Sequence, residues 1–229
     1  MGCYSFHMPL SPRDRARQHT MERITQLGRQ QLDTGGPEAL NLRAIARELG
    51  IVSSGIYRYV PDRAHLLTLL IVDAFGALDD ATAYADRATA EPRARFVGIV
   101  SAMRQWALAH PQRWALIYGT PILGYEAPAE ETVEAGTRVS RRIAALLQSA
   151  DVAPLEQRTA TLERDLHASA EDMGVRLSAD VMEKALEAWV RIIGLINAEV
   201  FGYFGADTLG DFTEFHDRAV ARLVMELGL

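Results

Sequence analysis

The chain has 229 residues, of which 48% are hydrophobic and 24% charged, with a formal net charge of −6. These values are typical of a globular protein with one large or two small domains. The longest uncharged run after the N-terminal segment, WALIYGTPILGY at 114–125, is shorter than the roughly 18 apolar residues of a membrane span, and the N-terminal segment lacks the apolar region of a signal peptide. The single cysteine, Cys3, excludes an internal disulfide. We expect a cytoplasmic protein.

Charge is unevenly distributed along the chain. Residues 1–63 contain nine arginines and six acidic residues, a net charge of +3, so the remainder carries −9. Phosphate binding depends on the local field rather than on the sum over the whole protein. The asymmetry therefore predicts a small basic module attached to an acidic body.

The periodicity of the apolar residues predicts an all-α fold. They recur at spacings of three and four, and alternating runs rich in Val, Ile and Thr are missing. We predict a disordered N-terminal segment over residues 1–12 and a first helix over about 13 to 32. Asn41 is a natural N-cap for a second helix, which we expect to end at Gly50.

Serine, proline and aspartate residues mark the next boundaries. A third helix is predicted from Ser53 or Ser54 until Pro61, because proline cannot continue a helix. Asp62 is then expected to cap a long fourth helix. Further helices are predicted near 93–109, 112–118, 129–149, 155–170, 178–203 and 211–227.

The last two predicted helices carry broad apolar stripes. A helix that packs on one side of a monomer needs a narrower stripe, so the pattern favours an interface between two copies over plain core packing. The predicted interface residues are Trp189, Ile193, Ile196, Val200, Phe204, Phe215, Val220 and Leu223.

The second and third predicted helices have the pattern of a helix-turn-helix. Gly50 supplies the turn, and small or apolar residues stand where the two helices would cross. In such a unit the second helix enters the major groove of DNA. The alternative is an ordinary helical corner with half-buried tyrosines. The crossing residues are Ile45, Ala46, Leu49, Ile51, Ile56 and Tyr59.

Residues 40–67, LNLRAIARELGIVSSGIYRYVPDRAHLL, resemble the tetracycline-repressor family of bacterial transcriptional regulators. The resemblance implies a helix-turn-helix DNA-binding domain at 13–62 and a helical effector-binding and dimerisation domain at 63–229. It implies that Arg43 reaches a base edge or phosphate, that Tyr57 donates its hydroxyl to phosphate, and that Tyr59 and Arg63 bind the same backbone. The predicted DNA-contacting residues are Asn41, Arg43, Ser53, Ser54, Gly55, Tyr57, Tyr59 and Arg63.

Two positions depart from the family's pattern. Val52 stands where a capping serine is common, so we expect the cap to pass to Ser53. Gly55 stands where Thr or Ala often meets the bases, and glycine costs about 1 kcal/mol in a helix relative to Ala. We predict that Ser53, Ser54 and close approach of the backbone read the bases there.

The chain has none of the motifs that carry catalysis or metal binding. There is no nucleophile elbow, no glycine-rich phosphate loop, no His-Glu-x-x-His and no Glu-x-x-His. We therefore predict no enzyme activity, no cofactor and no metal. Six aromatic residues and one methionine predict an apolar cavity for a small apolar or aromatic effector, with plain core packing as the alternative. They are Phe75, Met103, Trp106, Trp114, Tyr118, Tyr125 and Trp189.

Together these patterns predict a homodimeric transcriptional regulator of the repressor type. A small-molecule effector would release it from a double-stranded DNA operator. The alternative is a helical ligand-binding or partner-binding protein that acts through another protein, which the modest charge of +3 in residues 1–63 and Gly55 keep open. An affinity for DNA that is the same for every sequence would favour that alternative.

Overall fold

The computed structural model describes residues 11–87, 91–149, 157–205 and 208–229. Within these ranges the regular structure is helical and no strand occurs, which confirms the predicted all-α fold. The described residues contain three 3-10 turns, at Pro37–Ala39, Ile56–Arg58 and Leu147–Ser149. The α-helices are α1 Pro12–Gly35, α2 Leu42–Glu48, α3 Arg63–Arg87, α4 Pro92–Ala109, α5 Pro111–Tyr118, α6 Ala129–Gly136, α7 Arg138–Leu146, α8 Ala160–Asp172, α9 Ala179–Val200 and α10 Phe212–Glu226.

The chain divides into two compact units, Met1–Leu70 and Ile71–Leu229. The division falls within α3, so the first turns of this helix belong to the first unit. Most of the predicted disordered segment lies outside the described residues. Its last two positions do not fit that prediction, because Ser11 caps α1 and Pro12 begins it. The Ser11 hydroxyl accepts a hydrogen bond from the Asp14 N–H at 3.1 Å.

In the first unit, α1 packs closely against the start of α3. Ile24 and Leu32 of α1 and Leu66 and Leu70 of α3 are fully or almost fully buried. Gly28 permits the approach, because a Cβ at this position would lie 3.2 Å from a Leu66 methyl group. This apolar contact holds the helices that flank the helix-turn-helix segment.

The predicted caps at Asn41 and Asp62 are confirmed. The Asn41 side chain accepts the Ala44 N–H at 3.1 Å, and Asp62 accepts the His65 N–H at 2.8 Å. The second helix ends at Glu48, two residues before the expected end. Gly50 follows with φ +68°, a left-handed conformation that glycine adopts without the steric cost of a Cβ.

The prediction of a third helix between Ser53 and Pro61 is wrong. Here the chain forms a turn at 53–55, followed by the 3-10 turn Ile56–Arg58. Its hydrogen bonds are mixed, with the Tyr59 N–H bonded to the Ile56 carbonyl at 2.9 Å and the Val60 N–H to the same carbonyl at 3.0 Å. Few residues separate Gly50 from Pro61, and Gly55 disfavours a regular helix. We call residues 53–59 the recognition turn.

The second unit has one large apolar core. It is built from α3, α4, α5, α7, α9 and α10, and its most buried side chains include Leu78, Phe96, Trp114, Ile143 and Ile192. A smaller cluster around Leu166 and Met182 packs α8 against the start of α9.

The single helix predicted over 129–149 is in fact two helices and a 3-10 turn. The break lies at Thr137, whose hydroxyl donates to the Val133 carbonyl at 2.8 Å. Such back-bonding bends helices. Gly136 precedes the break, and a Cβ there would lie 3.2 Å from the Phe75 ring. Close packing against Phe75 therefore accompanies the change of direction.

The remaining helix bounds differ from the predictions at their ends. The eighth helix begins at Ala160 rather than near 155, and residues 150–156 lie outside the described residues. The ninth ends at Val200 rather than 203, because Gly202 adopts φ +65° within the turn that follows.

Candidate nucleic-acid interface and effector region

An open cleft of 440 Å³ lies on the first unit. It brings together four of the predicted DNA-contacting residues, which come from the start of α2, the recognition turn and the start of α3. The local chain path accounts for this, since Gly50 reverses the chain after α2 and Pro61 ends the recognition turn. The cleft is lined by Leu40, Asn41, Leu42, Arg43, Tyr57, Pro61, Asp62 and Arg63.

The polar side chains of the cleft differ in how much they are already engaged. Arg43 is exposed and makes no hydrogen bond or ion pair with the described part of the chain. Tyr57 is 43% exposed. Arg63 donates to the Pro37 carbonyl at 2.9 Å and pairs with Glu38 at 3.3 Å. Arg43 and Tyr57 are thus the freest donors, while Arg63 is already held by the neighbouring turn.

The recognition turn presents Ser53 and Ser54 as exposed residues. The expected cap at Ser53 is wrong, because the 3-10 turn begins without a side-chain cap hydrogen bond. A Cβ on Gly55 would lie 3.0 Å from the Val52 carbonyl oxygen, so a larger residue would require the turn to adjust. The serine hydroxyls, the exposed side chains of Tyr57 and Arg58, and the backbone at Gly55 form the polar surface of the turn.

Arg17 is a residue of this region that sequence reasoning missed. Its guanidinium carbon lies 5.4 Å from the centroid of the Tyr59 ring, and its Nη1 lies 3.5 Å from the Arg58 carbonyl oxygen. Tyr59 is half-buried. The signal in the sequence was the cluster of Arg13, Arg15 and Arg17, but nothing in that cluster identifies a contact with the recognition turn.

In the second unit, Tyr118 is at the centre of an aromatic cluster. Its ring contacts Phe75, Trp114 and Trp189, with centroid distances of 5.8, 4.6 and 6.0 Å. The Trp114 Nε1 donates to Asn197 Oδ1 at 2.7 Å, and Asn197 Nδ2 donates to the Tyr118 carbonyl at 3.3 Å. Four of the seven predicted effector-binding residues therefore lie together.

The Tyr118 hydroxyl is buried and has no hydrogen-bond partner among the described residues. Burial raises the pKa of this hydroxyl, because the charged form would be poorly solvated. Met103 and Trp106 are packed into the large core, where Trp106 contacts the His110 ring. Tyr125 is half-buried in the loop between α5 and α6. The seven residues thus do not line one common cavity.

A cavity of 300 Å³ lies beside the aromatic cluster. Phe75 is the only predicted effector-binding residue among its lining residues. The Thr132 and Thr137 hydroxyls in its wall already donate to backbone carbonyls. The cavity is lined by Ile71, Phe75, Leu116, Ile117, Ala127, Thr132, Val133, Gly136 and Thr137. Its lining is mainly apolar.

A second apolar concavity, of 270 Å³, lies between α9 and α10. Of the predicted interface residues, Ile196, Val220 and Leu223 are buried in the core, Trp189, Ile193, Val200 and Phe215 are half-buried, and Phe204 is exposed. Four of these residues, Phe204, Phe215, Val220 and Leu223, line the concavity. Sequence reasoning missed three exposed apolar residues of these helices, Leu186, Val190 and Met225.

No helix in the described ranges is long and apolar enough to cross a membrane. The same residues contain no group of three or more His, Cys, Asp or Glu side chains placed to hold a metal ion.

Comparison with known proteins identifies a matching family and several similar proteins. Residues 96–223 match the tetracyclin repressor-like C-terminal domain family. The chain is 39% identical over 206 residues to the HTH-type transcriptional regulators Mb1846 of Mycobacterium bovis and Rv1816 of Mycobacterium tuberculosis, covering 86% of this chain and 87% of each relative. The crystal structure of the regulatory protein SCO4313 is similar, with a TM-score of 0.75, 28% identity and coverage of 93% and 98% of the two chains. These relatives are named as regulators and not as enzymes.

Proposed function

Because the chain belongs to the tetracycline-repressor-like family of transcriptional regulators, we propose that its cleft and recognition turn form the operator-binding surface of a homodimeric repressor. The DNA-binding domain is residues 13–62, and the effector-binding and dimerisation domain is residues 63–229. A small apolar or aromatic molecule releases the repressor from DNA. The protein works in the cytoplasm, where its operator is accessible.

The observation that carries this proposal is the convergence of Arg43, Tyr57 and Arg63 on one open cleft. A guanidinium and a phenol hydroxyl are suitable donors to phosphate oxygens, and phosphate contacts set the register of a protein on a duplex. The hydrogen bond from Arg63 to the Pro37 carbonyl fixes the orientation of the guanidinium before DNA binds. We assign Tyr57 and Arg63 to phosphates and Arg43 to a base edge or phosphate.

The bases are read at the tip of the recognition turn. Ser53 and Ser54 are exposed there, and Gly55 lets the backbone approach the floor of the groove. Serine hydroxyls donate or accept hydrogen bonds at base edges, whereas Gly55 offers only its backbone. Tyr59, the last residue of the turn, contacts the same phosphate backbone as Arg63.

The effector-binding site we propose is the cavity next to Phe75, and the homodimer forms through α9 and α10. An apolar lining and adjacent aromatic rings suit a small apolar or aromatic ligand. Exposed Val190 and the concavity between the two helices provide the apolar surface that a second copy would cover.

Two-fold symmetry of this dimer places the two recognition turns about 34 to 36 Å apart, or a multiple of this distance, on a near-palindromic operator. The effector favours a second conformation of the dimer, in which the distance between the two recognition turns does not match the operator. This requires that the effector bind the two conformations with different affinities.

The test is fluorescence anisotropy of the purified protein on duplexes that tile the DNA beside its own gene. Competitor DNA and several salt concentrations are needed, because phosphate contacts dominate the raw affinity. We expect tight, saturable binding to one tile. Arg43→Ala and Tyr57→Phe should weaken this binding, whereas Arg164→Ala, an exposed residue of α8, should leave it unchanged.

Weak binding of equal strength to every tile, sensitive only to salt, would contradict the proposal. That result would favour the alternative that the protein acts through a protein partner. Loss of binding in Arg164→Ala as well as in Arg43→Ala would show that the cleft is not the DNA contact.

A further inference from the structure

The recognition turn receives little support from its own sequence. It contains one 3-10 turn of three residues, Ile56–Arg58, and no side chain caps it. Gly55 lies at its start, and only Ile56 within the 3-10 turn is buried. Short helical turns with glycine lose stability to conformational entropy. A segment that must present Ser53 and Ser54 accurately therefore needs support from elsewhere in the unit.

Arg17 lies in the second turn of α1 and contacts the recognition turn. Its guanidinium lies over the Tyr59 ring, 5.4 Å from the centroid, and its Nη1 points to the Arg58 carbonyl oxygen at the long distance of 3.5 Å. The first contact is a cation–π interaction, and the second satisfies a carbonyl at the end of the 3-10 turn. Both contacts act on the C-terminal end of the recognition turn.

We propose that Arg17 is a positioning residue for DNA recognition, which fixes the recognition turn through the Tyr59 ring and the Arg58 carbonyl rather than by binding phosphate. The inference rests on the proposed operator binding. It assigns a function to α1 beyond its apolar packing against Leu66 and Leu70 of α3. The competing role for an exposed arginine in this place is a direct phosphate contact.

The first measurement is amide hydrogen exchange in the free, full-length protein. The Tyr59 and Val60 N–H groups both donate to the Ile56 carbonyl, so their exchange reports local opening of the turn. In Arg17→Met we expect exchange at these amides to accelerate by about two- to five-fold, the factor that corresponds to an exposed cation–π contact. Arg15→Met removes the same charge from an exposed position of α1 and should leave these rates unchanged.

The second measurement is operator affinity as a function of salt concentration. Arg17→Met should weaken specific binding by about two- to five-fold with an unchanged salt slope, whereas loss of a phosphate contact would reduce the slope by about 1. Arg17→Lys keeps the charge but loses the planar fork, so it should restore only part of the affinity.

The third measurement is a mutant cycle on Tyr59. Tyr59→Phe keeps the ring and removes the hydroxyl, so Arg17→Met should still weaken binding in this background. Tyr59→Leu removes the ring, and there the added effect of Arg17→Met should shrink towards zero. A full effect of Arg17→Met in the Tyr59→Leu background would overturn the proposal.

A salt slope lowered by about 1 with unchanged amide exchange would also overturn it and make Arg17 a phosphate contact. Faster exchange without any change in operator affinity would overturn the role in recognition and leave a purely structural contact. Failure of the proposed function would look different, because wild-type protein would then show no preference for any duplex.

Discussion

Arg43 of the first unit and Arg104 of the second unit differ in how they are paired. On the first unit, Arg43 is exposed and makes no ion pair or hydrogen bond among the described residues. In the second unit, Arg104 of α4 and Glu199 of α9 are each 14% exposed and form two hydrogen bonds of 2.7 and 2.6 Å, and Arg104 also donates to Thr213 of α10. An exposed donor without a partner is available to a ligand, whereas a paired and largely buried one stabilises the fold. The pairing state thus distinguishes Arg43, on the candidate binding surface, from Arg104, at the junction of α4, α9 and α10.

The largest effect is expected from Arg104→Met. The hydrogen bond to Glu199 raises the pKa of Arg104, as expected for a pair that stabilises the cation. Removing the guanidinium leaves the Glu199 carboxylate largely buried without its partner, so we expect the free energy of unfolding to fall by about 3 kcal/mol. Urea denaturation of the purified variant at a fixed protein concentration measures this loss.

The matched control removes both charges. Arg104→Met with Glu199→Leu should recover most of the loss, because no uncompensated charge remains. A single Arg104→Met variant as stable as wild type would show that the pair contributes nothing to the junction of α4, α9 and α10.

The next effect concerns the cleft. Arg43→Ala should lower specific operator affinity by about 1 to 3 kcal/mol if the guanidinium meets a base edge. Its free energy of unfolding should stay within about 0.5 kcal/mol of wild type, because the side chain is exposed. Anisotropy titration measures the operator affinity, and urea denaturation of the same preparation measures the free energy of unfolding. If Arg43→Ala also lowered the free energy of unfolding, Arg43 would have a structural role like that of Arg104.

A smaller effect of opposite sign is expected at Tyr118. Its hydroxyl is buried without a partner, and removing such a group relieves a desolvation penalty. Tyr118→Phe should therefore raise the free energy of unfolding by about 1 kcal/mol. Tyr84→Phe, which removes an exposed hydroxyl, is the control and should change little. Destabilisation by Tyr118→Phe would mean that the hydroxyl is hydrogen-bonded in solution.

The smallest effect is a pH dependence from His216, which is 2% exposed. Burial is the main cause that lowers the pKa of His216 below its ordinary value of 6.5, and the nearby Arg104 acts in the same direction, whereas Asp217 and Glu199 oppose it. Below pH 6.5 the His216 ring binds a proton more readily in the unfolded chain than in the folded protein. Stability should therefore fall as the pH drops below this value.

Urea denaturation between pH 7.5 and 5.0, compared for wild type and His216→Gln, measures this contribution. The variant should lose less stability over that range. His19→Gln at an exposed position of α1 is the control and should follow the wild-type curve. A His216→Gln curve parallel to that of wild type would exclude a contribution from the buried ring.

The sequence predicted most of the helices, because the apolar periodicity of a helix is a local property. Asn41 and Asp62 were recognisable as caps for the same reason. The recognition turn has the apolar pattern of a helix, but Gly55 and Pro61 leave room only for the 3-10 turn Ile56–Arg58. The break at Thr137 could not be predicted, because it accompanies packing of Gly136 against Phe75, a residue far away in the sequence.

The candidate sites follow the same rule. The cleft residues lie within a short stretch of sequence, from Leu40 to Arg63, so a local motif could identify them. The contact of Arg17 with Arg58 joins residues 41 positions apart, and no local pattern indicates it. For the effector, the sequence identified aromatic residues, but the fold decides that Trp106 lies in the core and Phe75 beside a cavity.

The measurement that tests the central claim most directly is ethylation interference on the operator tile, with wild-type protein and Tyr57→Phe compared. Ethylation of a phosphate blocks binding wherever the protein donates a hydrogen bond to that phosphate. We predict that wild type shows interference at a few phosphates in each half-site and that Tyr57→Phe loses the interference at one phosphate per half-site. An identical pattern for both proteins would contradict the assignment of the cleft as the DNA-binding surface.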